Sequence, residues 1–386
     1  MENPVTDTTT RPVVMVVYGT RPEAIKVAPV VRALEASETL DVRTVVTAQH
    51  REMLDQVNSV FGIEPDVDLD LMAHGQTLNG IAAKVMARID EVYAEHTPDA
   101  VLVQGDTTTV MAAGIAAFNR EIPVVHLEAG LRSGDLHSPF PEEANRKLVS
   151  QIAALHLAPT EVSRANLLHD GVSDDTIVVT GNTVIDALHW AVQQPATFSD
   201  PALAILRETD RPMLLLTTHR RENLGPNMVD IGRAVRRIAQ AHPDLVVVWP
   251  AHKNPKVRET IRPFVEDLDN VIAIEPVGYG EFSHLIARAH IVLTDSGGIQ
   301  EEAPSLGKPV LVLRENTERP EAVDAGTVAL IGTAEQRIVD EVTRLMNDGE
   351  AYAAMANAVN PYGDGHAAEY GVAAMERLLG VAPRAE

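Results

Sequence analysis

The chain has no cysteine, which excludes disulfides, a thiolate nucleophile and cysteine-ligated zinc, and fits a reducing compartment. Cations are scarce: Lys and Arg total 32 against 55 Asp and Glu, a formal net charge of -23. Such a surface repels nucleic acid and anionic membranes, so neither is an expected partner. An anionic small ligand must be held by local cations and backbone dipoles. Aromatics make up 4% of residues and do not alternate with basic side chains, which leaves no platform for stacked bases. No long hydrophobic run occurs. The apolar stretch Val13 to Val17 is too short for a signal-peptide core or a membrane span and has no basic segment ahead of it, so a soluble cytoplasmic protein is expected. The polar start, M-E-N-P-V-T-D-T-T-T, reads as disordered. Also missing are a G-x-S-x-G elbow, a P-loop, an EF-hand loop and, among 14 histidines, any H-x-x-x-H pair near an acid. No dedicated metal site is expected.

What is present is rhythm. Short β-branched runs alternate with longer helical patterns at Val13 to Tyr18, Asp41 to Thr47, Ala100 to Gln104, Pro123 to Leu127, Leu155 to Ala158 and Thr176 to Thr180. A second series follows at Met213 to Thr217, Leu245 to Pro250, Val271 to Ile274, Ile291 to Thr294 and Pro309 to Leu313. Strand, helix, strand in this order implies an α/β protein with two doubly wound parallel sheets. At 386 residues two domains are expected. The break between series falls around Asn182 to Arg211, giving an N-terminal Rossmann-like domain at 12–182 and a C-terminal one at 183–366. The helical pattern at 367–383 is expected to join the first. Ligands of such sheets sit at the carboxyl ends of the strands, here in a crevice between the domains. A single Rossmann oxidoreductase with an added lobe fits poorly. The first strand runs into G-T-R-P-E-A rather than G-x-G-x-x-G, and the second ends in T-A-Q-H without an acid for a ribose, so no nicotinamide cofactor is expected.

Nearly every unusual polar cluster follows a strand. In I-V-L-T-D-S-G-G-I-Q-E-E-A-P-S-L-G-K, from Ile291 to Lys308, a strand meets a tight turn and a helix N-terminus, a setting that attracts phosphate. Glu301 or Glu302 one turn on can accept from a ribose, although S-G-G also serves an ordinary turn. After the first strand, Arg21 and Lys26 form a candidate anion clamp, with Lys26 alone reading more readily as a solvated helix residue. Asp106 follows the third strand, as a helix N-cap or a candidate base. Glu128 stands directly after an apolar strand, where an unpaired acid is costly to bury. Pro141 opens a helix whose expected buried face is Ala144, Leu148 and Ile152. Glu143 and Lys147 there read as a surface pair, which leaves Glu142 for the crevice. His219, after a strand of the second series, is a candidate phosphate ligand or proton donor.

Taken together, G-T-R-P-E-A-I-K-V-A-P, T-A-Q-H-R-E-M-L-D-Q-V, G-D-T-T-T, H-L-E-A-G-L-R-S-G-D, P-E-E-A-N-R, G-N-T-V-I-D-A-L, T-H-R-R-E-N and D-S-G-G-I-Q-E-E-A-P-S-L-G-K-P-V-L-V-L-R-E-N-T-E-R-P-E-A-V resemble the non-hydrolysing bacterial UDP-N-acetylglucosamine 2-epimerases, over about residues 12 to 365. The resemblance implies the GT-B fold and the interconversion of UDP-N-acetylglucosamine and UDP-N-acetylmannosamine for cell-surface polymers. The implied route is elimination of UDP to a 2-acetamidoglucal and re-addition, without a cofactor, in a homodimer. It implies Asp106, Glu128 and Glu142 as catalytic carboxylates and His219 as a diphosphate partner. Arg21, Lys26, Phe282, Ser296, Gly297, Gly298, Glu302 and Arg319 match substrate-binding positions, and Gln49, His50, Gln76 and His252 resemble a second, regulatory substrate site. Alternatives are a glycosyltransferase or hydrolysing relative of the same fold, a catalytically silent nucleotide-sugar sensor, and an epimerase of a modified UDP-sugar.

Overall fold

The computed structural model describes residues 11–47, 51–71 and 75–381. Contacts divide the chain into two compact units, Met1–Ala187 with Gly365–Glu386, and Leu188–Asp364. The polar start, Gln49 and His50 lie outside the described residues.

In the first unit β1 (Val13–Tyr18), β2 (Asp41–Val46), β3 (Val67–Asp68), β4 (Ala100–Gln104), β5 (Val124–Leu127), β6 (Leu155–Ala158) and β7 (Ile177–Val179) form one parallel sheet in the order 3-2-1-4-5-6-7. Five of the six residues of β1 and all five of β4 are buried, the signature of a sheet covered on both faces. On one face Met15, Val17, Val101 and Val103 pack with Ile89 and Tyr93 of helix Leu78–His96 and Val110 and Ala113 of helix Thr108–Phe118. Helix Ala367–Leu378 also belongs here: the Ala368 N–H donates to Asp186 Oδ1 at 2.8 Å, and Thr39 Oγ1 donates to Glu376.

The second unit repeats the plan with β8 (Met213–Thr217), β9 (Val246–Pro250), β10 (Val271–Ile274), β11 (Ile291–Thr294), β12 (Val310–Val312) and β13 (Val328–Leu330), parallel in the order 10-9-8-11-12-13. Its core joins Leu214, Leu216, Val247 and Leu293 to Ile231, Val235 and Ile238 of helix Pro226–Ala241.

Each sheet therefore has a topological switch point, between β1 and β4 and between β8 and β11, where strand order reverses and ligands of doubly wound sheets bind. The strands missing from the sequence reading, β3 and β13, are edge strands of two and three residues, too short to show a period. Pro123 and Pro309 fall just outside the ladders, because proline has no N–H, yet their carbonyls accept from Val101 and Val292.

Candidate active site

The first helix begins with a capping box. Thr20 accepts from the Glu23 N–H, and Glu23 accepts from the N–H groups of Gly19 (2.6 Å) and Thr20 (2.8 Å) and from Thr107 Oγ1 (2.6 Å). Glu23 is 2% exposed, and burial raises its pKa against those hydrogen bonds. This carboxylate thus ties the turn after β1 to the turn after β4. One helical turn along, Lys26 is not the solvated residue that spacing alone suggests. Its ammonium lies 2.5 and 2.7 Å from the two carboxylate oxygens of Glu128. Gln104 and Asn182 donate to the same carboxylate. Arg21, by contrast, makes no hydrogen bond or ion pair with any described residue.

Glu128 has φ +63°, a left-handed backbone that costs a non-glycine residue about 1–3 kcal/mol and persists only where the surroundings hold it. The adjoining Gly130 (φ +94°) admits helix Glu161–His169: a Cβ there would meet the Ser163 carbonyl oxygen at 2.2 Å. Beneath the same turns, buried His126 places Nε2 2.8 Å from the Gly105 carbonyl. Burial pushes its pKa down to about 4, so the neutral ring donates from Nε2 to that carbonyl.

Asp106 does not cap its helix. Thr107 does, accepting from the Val110 N–H, because the polypeptide turns one residue later than the pattern indicates. The Asp106 carboxylate instead receives Arg146, with Nε at 2.8 Å and Nη2 at 2.6 Å, while Asn145 Nδ2 donates to its carbonyl. Arg146 is held in turn by Glu143, whose side chain has zero exposure and also accepts from the Ser133 and Gly134 N–H groups. The expected Glu143–Lys147 surface pair is thereby corrected: Lys147 pairs with Asp170. The face of helix Glu142–Ile152 is corrected too. Glu143, Asn145, Val149 and Ser150 are buried, whereas Leu148 is 51% exposed. Glu142, the first helical residue, is partly exposed and has no hydrogen-bond or ion-pair partner among the described residues. Asp106, Glu128 and Glu142 thus belong to one unit, on segments that follow β4 and β5, and only the first two are held by cations.

In the second unit His219 follows β8 and the turn Ser296–Gly298 follows β11. A Cβ on Gly297 would lie 3.6 Å from Arg220 Nη2 and 3.7 Å from Arg319 Cζ, so two guanidinium groups flank this turn. Arg220 Nε donates to the Asp295 carbonyl, and Arg319 Nε lies 2.6 Å from Glu301. Glu301 is thus engaged by arginine rather than presented to a ribose, and Glu302 is 8% exposed. His219 is half-buried with Nδ1 3.2 Å from Asp295, and its ring centroid is 5.6 Å from that of His252. Burial lowers its pKa; Asp295 acts to raise it, and His252 and Arg220 lower it. The arrangement suits an anion with several oxygens. Phe282 is partly buried on helix Tyr279–Arg288, and Gln76 precedes helix Leu78–His96 in the other unit from His252. Sequence reasoning missed Arg220, Asp295, Glu143 and Arg146. A signal existed for Asp295, since an acid closing a buried parallel strand beside the switch point needs donors.

A family model described as UDP-N-acetylglucosamine 2-epimerase matches residues 32–376. A UDP-N-acetylglucosamine 2-epimerase of Escherichia coli is 53% identical over 360 residues, covering 92% of this chain and 96% of that protein. One from Yersinia pestis is 52% identical over 361 residues, with the same coverage. A crystal structure of UDP-GlcNAc 2-epimerase from Neisseria meningitidis bound to UDP-GlcNAc superposes with a TM-score of 0.83 at 47% identity, covering 95% of this chain and 100% of that one.

Proposed function

This chain belongs to the UDP-N-acetylglucosamine 2-epimerase family, and on that premise we propose how its residues divide the reaction. It has the two-sheet GT-B fold, and its activity is the reversible epimerisation of UDP-N-acetylglucosamine at C2. The C2 proton is not acidic, so its direct removal and return would be slow, and the turn after β1 lacks the glycine fingerprint of a hydride-transfer enzyme. The remaining route is temporary loss of the anomeric substituent. The C1–O bond breaks with its electron pair leaving on the β-phosphate, C1 becomes cationic, and a carboxylate takes the C2 proton. A C1=C2 double bond results beside bound UDP. Protonation of C2 from the opposite face and attack by the same UDP at C1 gives the epimer with no net loss.

Departure of UDP needs fixed positive charge at the diphosphate, and we assign that to His219, Arg220, Arg319 and the Ser296–Gly298 turn, with Arg21 as a further cation and Phe282 and Glu302 toward the nucleoside. Proton transfer at C2 falls to Asp106, Glu128 and Glu142. Lys26 in this reading holds Glu128 in place rather than meeting the substrate alone. The observation that carries the assignment is that two strand-end carboxylates of one unit are each fixed by a cation of their own, Asp106 by Arg146 and Glu128 by Lys26. The proposal extends to UDP-N-acetylmannosamine as product, to a homodimer and to the cytoplasm; no described helix is long and apolar enough to cross a membrane.

The test is incubation with UDP-N-acetylglucosamine in deuterated water without added cofactor. Deuterium at C2 in both epimers, with the diphosphate linkage intact, supports the reading. Release of UDP and free sugar, or retention of C2 hydrogen, would replace it with a hydrolysing or transferase activity, or with a silent binder.

A further inference from the structure

Asp295 closes β11 with zero exposure, beside the end of β8. Its Oδ2 accepts from Thr218 Oγ1 (2.8 Å), the N–H groups of His219 and Arg220 (both 3.0 Å) and Asn223 Nδ2 (3.0 Å). Its Oδ1 lies 3.1 Å from the His219 N–H and 3.2 Å from His219 Nδ1. Its own peptide N–H donates to the Thr217 carbonyl, and its carbonyl accepts from Arg220 Nε. A carboxylate this deeply buried persists only if its lone pairs are filled, and the side-chain and peptide donors that fill them come from the segment Thr218 to Asn223. One residue therefore sets the path of the loop that carries His219, and its carboxylate stands 3.2 Å from the Nδ1 of the ring.

We infer that Asp295 is the positioning residue of His219: its carboxylate accepts a hydrogen bond from Nδ1–H, which keeps the proton on Nδ1 and presents Nε2 to the diphosphate oxygen. The inference rests on the reading of His219 as the diphosphate partner. A neutral histidine ring has one N–H, and the hydrogen bond at one nitrogen decides what the other can do. With Nδ1–H committed to Asp295, Nε2 is the nitrogen that gains a proton when an anion arrives. Among the described residues, Asp295 favours that proton, while Arg220 and the neighbouring His252 oppose it. Binding of the diphosphate adds a second anion on the Nε2 side and leaves the imidazolium between two negative groups, where it assists departure of UDP.

Protein labelled with 15N-histidine reads the tautomer directly, the His219 signal being assigned by its loss in His219→Gln. The expected neutral ring carries its proton on Nδ1, and saturation with UDP protonates Nε2 at a pH where the unliganded ring is neutral. A neutral ring protonated on Nε2 would overturn the inference. This measurement uses the unmodified protein and so stands even if substitutions at Asp295 prevent folding. In Asp295→Asn, kcat is expected to fall about 10²-fold with KM little changed. The loss of kcat with rising pH should move down by about one pH unit, because the imidazolium has lost its anion. A variant that loses thermal stability but keeps the original pH profile would make Asp295 merely structural and reject the inference. Full activity in His219→Gln would instead reject the reading of His219 on which it rests.

Discussion

Replacing Glu143 by glutamine probes how the carboxylates of the first unit are held. The substitution keeps the volume of a side chain with zero exposure and removes its charge, so Arg146 loses one of two carboxylate partners. Removing one member of a buried pair costs about 3–5 kcal/mol. Two features reduce that figure: glutamine keeps an oxygen for the Ser133 or Gly134 N–H, and Arg146 keeps Asp106. A loss of about 2–3 kcal/mol is therefore expected. For a unit of this size that lowers the melting temperature by about 4–12 °C, measurable by scanning calorimetry. Because Arg146 links Glu143 to Asp106, the effects of Glu143→Gln and Asp106→Asn should not add; a coupling of about 1 kcal/mol is expected from the double-mutant cycle. An unchanged melting temperature, or strict additivity, would refute the chain Glu143 to Arg146 to Asp106.

Three further outcomes follow from neighbouring residues. Glu142→Gln should leave stability within about 0.5 kcal/mol, since Glu142 has no described partner, while kcat falls by about 10²–10⁴; equal losses in both would assign Glu142 to structure. Gly130→Ala should cost about 3–5 kcal/mol in a denaturant titration, from a left-handed φ and a Cβ 2.2 Å from the Ser163 oxygen; a near-neutral result would mean that helix Glu161–His169 can retreat. His126 binds its proton near pH 4 when folded and near its ordinary 6.5 when unfolded. Above pH 6.5 neither state is protonated. As pH falls from 6.5 to 4 only the unfolded state gains the proton, so stability should drop by about 3 kcal/mol across that window. The adjacent His156, whose pKa burial also lowers, adds in the same direction. Urea midpoints against pH should flatten in His126→Gln, and an unchanged slope would contradict the assignment.

The sheets were legible because parallel strands buried on both faces read as apolar runs: β1, β4, β6, β8 and β11 have the bounds that patterning gives, and so does the partly buried edge strand β10. The candidate residues Asp106, Glu128, His219 and Ser296 were legible as positions, since all follow strands. They were not legible as pairings. The four-residue spacing of Glu143 and Lys147 predicts a surface bridge, but the loop at Ser133 and Gly134 brings two N–H groups to Glu143 and turns it inward. Lys26 looks solvated on its helix because its partner, Glu128, lies 102 residues away. Asp295 and Arg220 stayed hidden for the same reason: one joins β11 to the loop after β8 across 75 residues, and local spacing holds no record of that contact.

The central claim, that UDP leaves C1 and returns, is tested most directly by labelling the oxygen between C1 and the β-phosphorus with 18O. Once the bond breaks, rotation of the β-phosphate makes its oxygens equivalent, so UDP-N-acetylglucosamine recovered after many turnovers is expected to carry the label in non-bridging positions. Epimerisation with the label still wholly in the bridge would contradict the account.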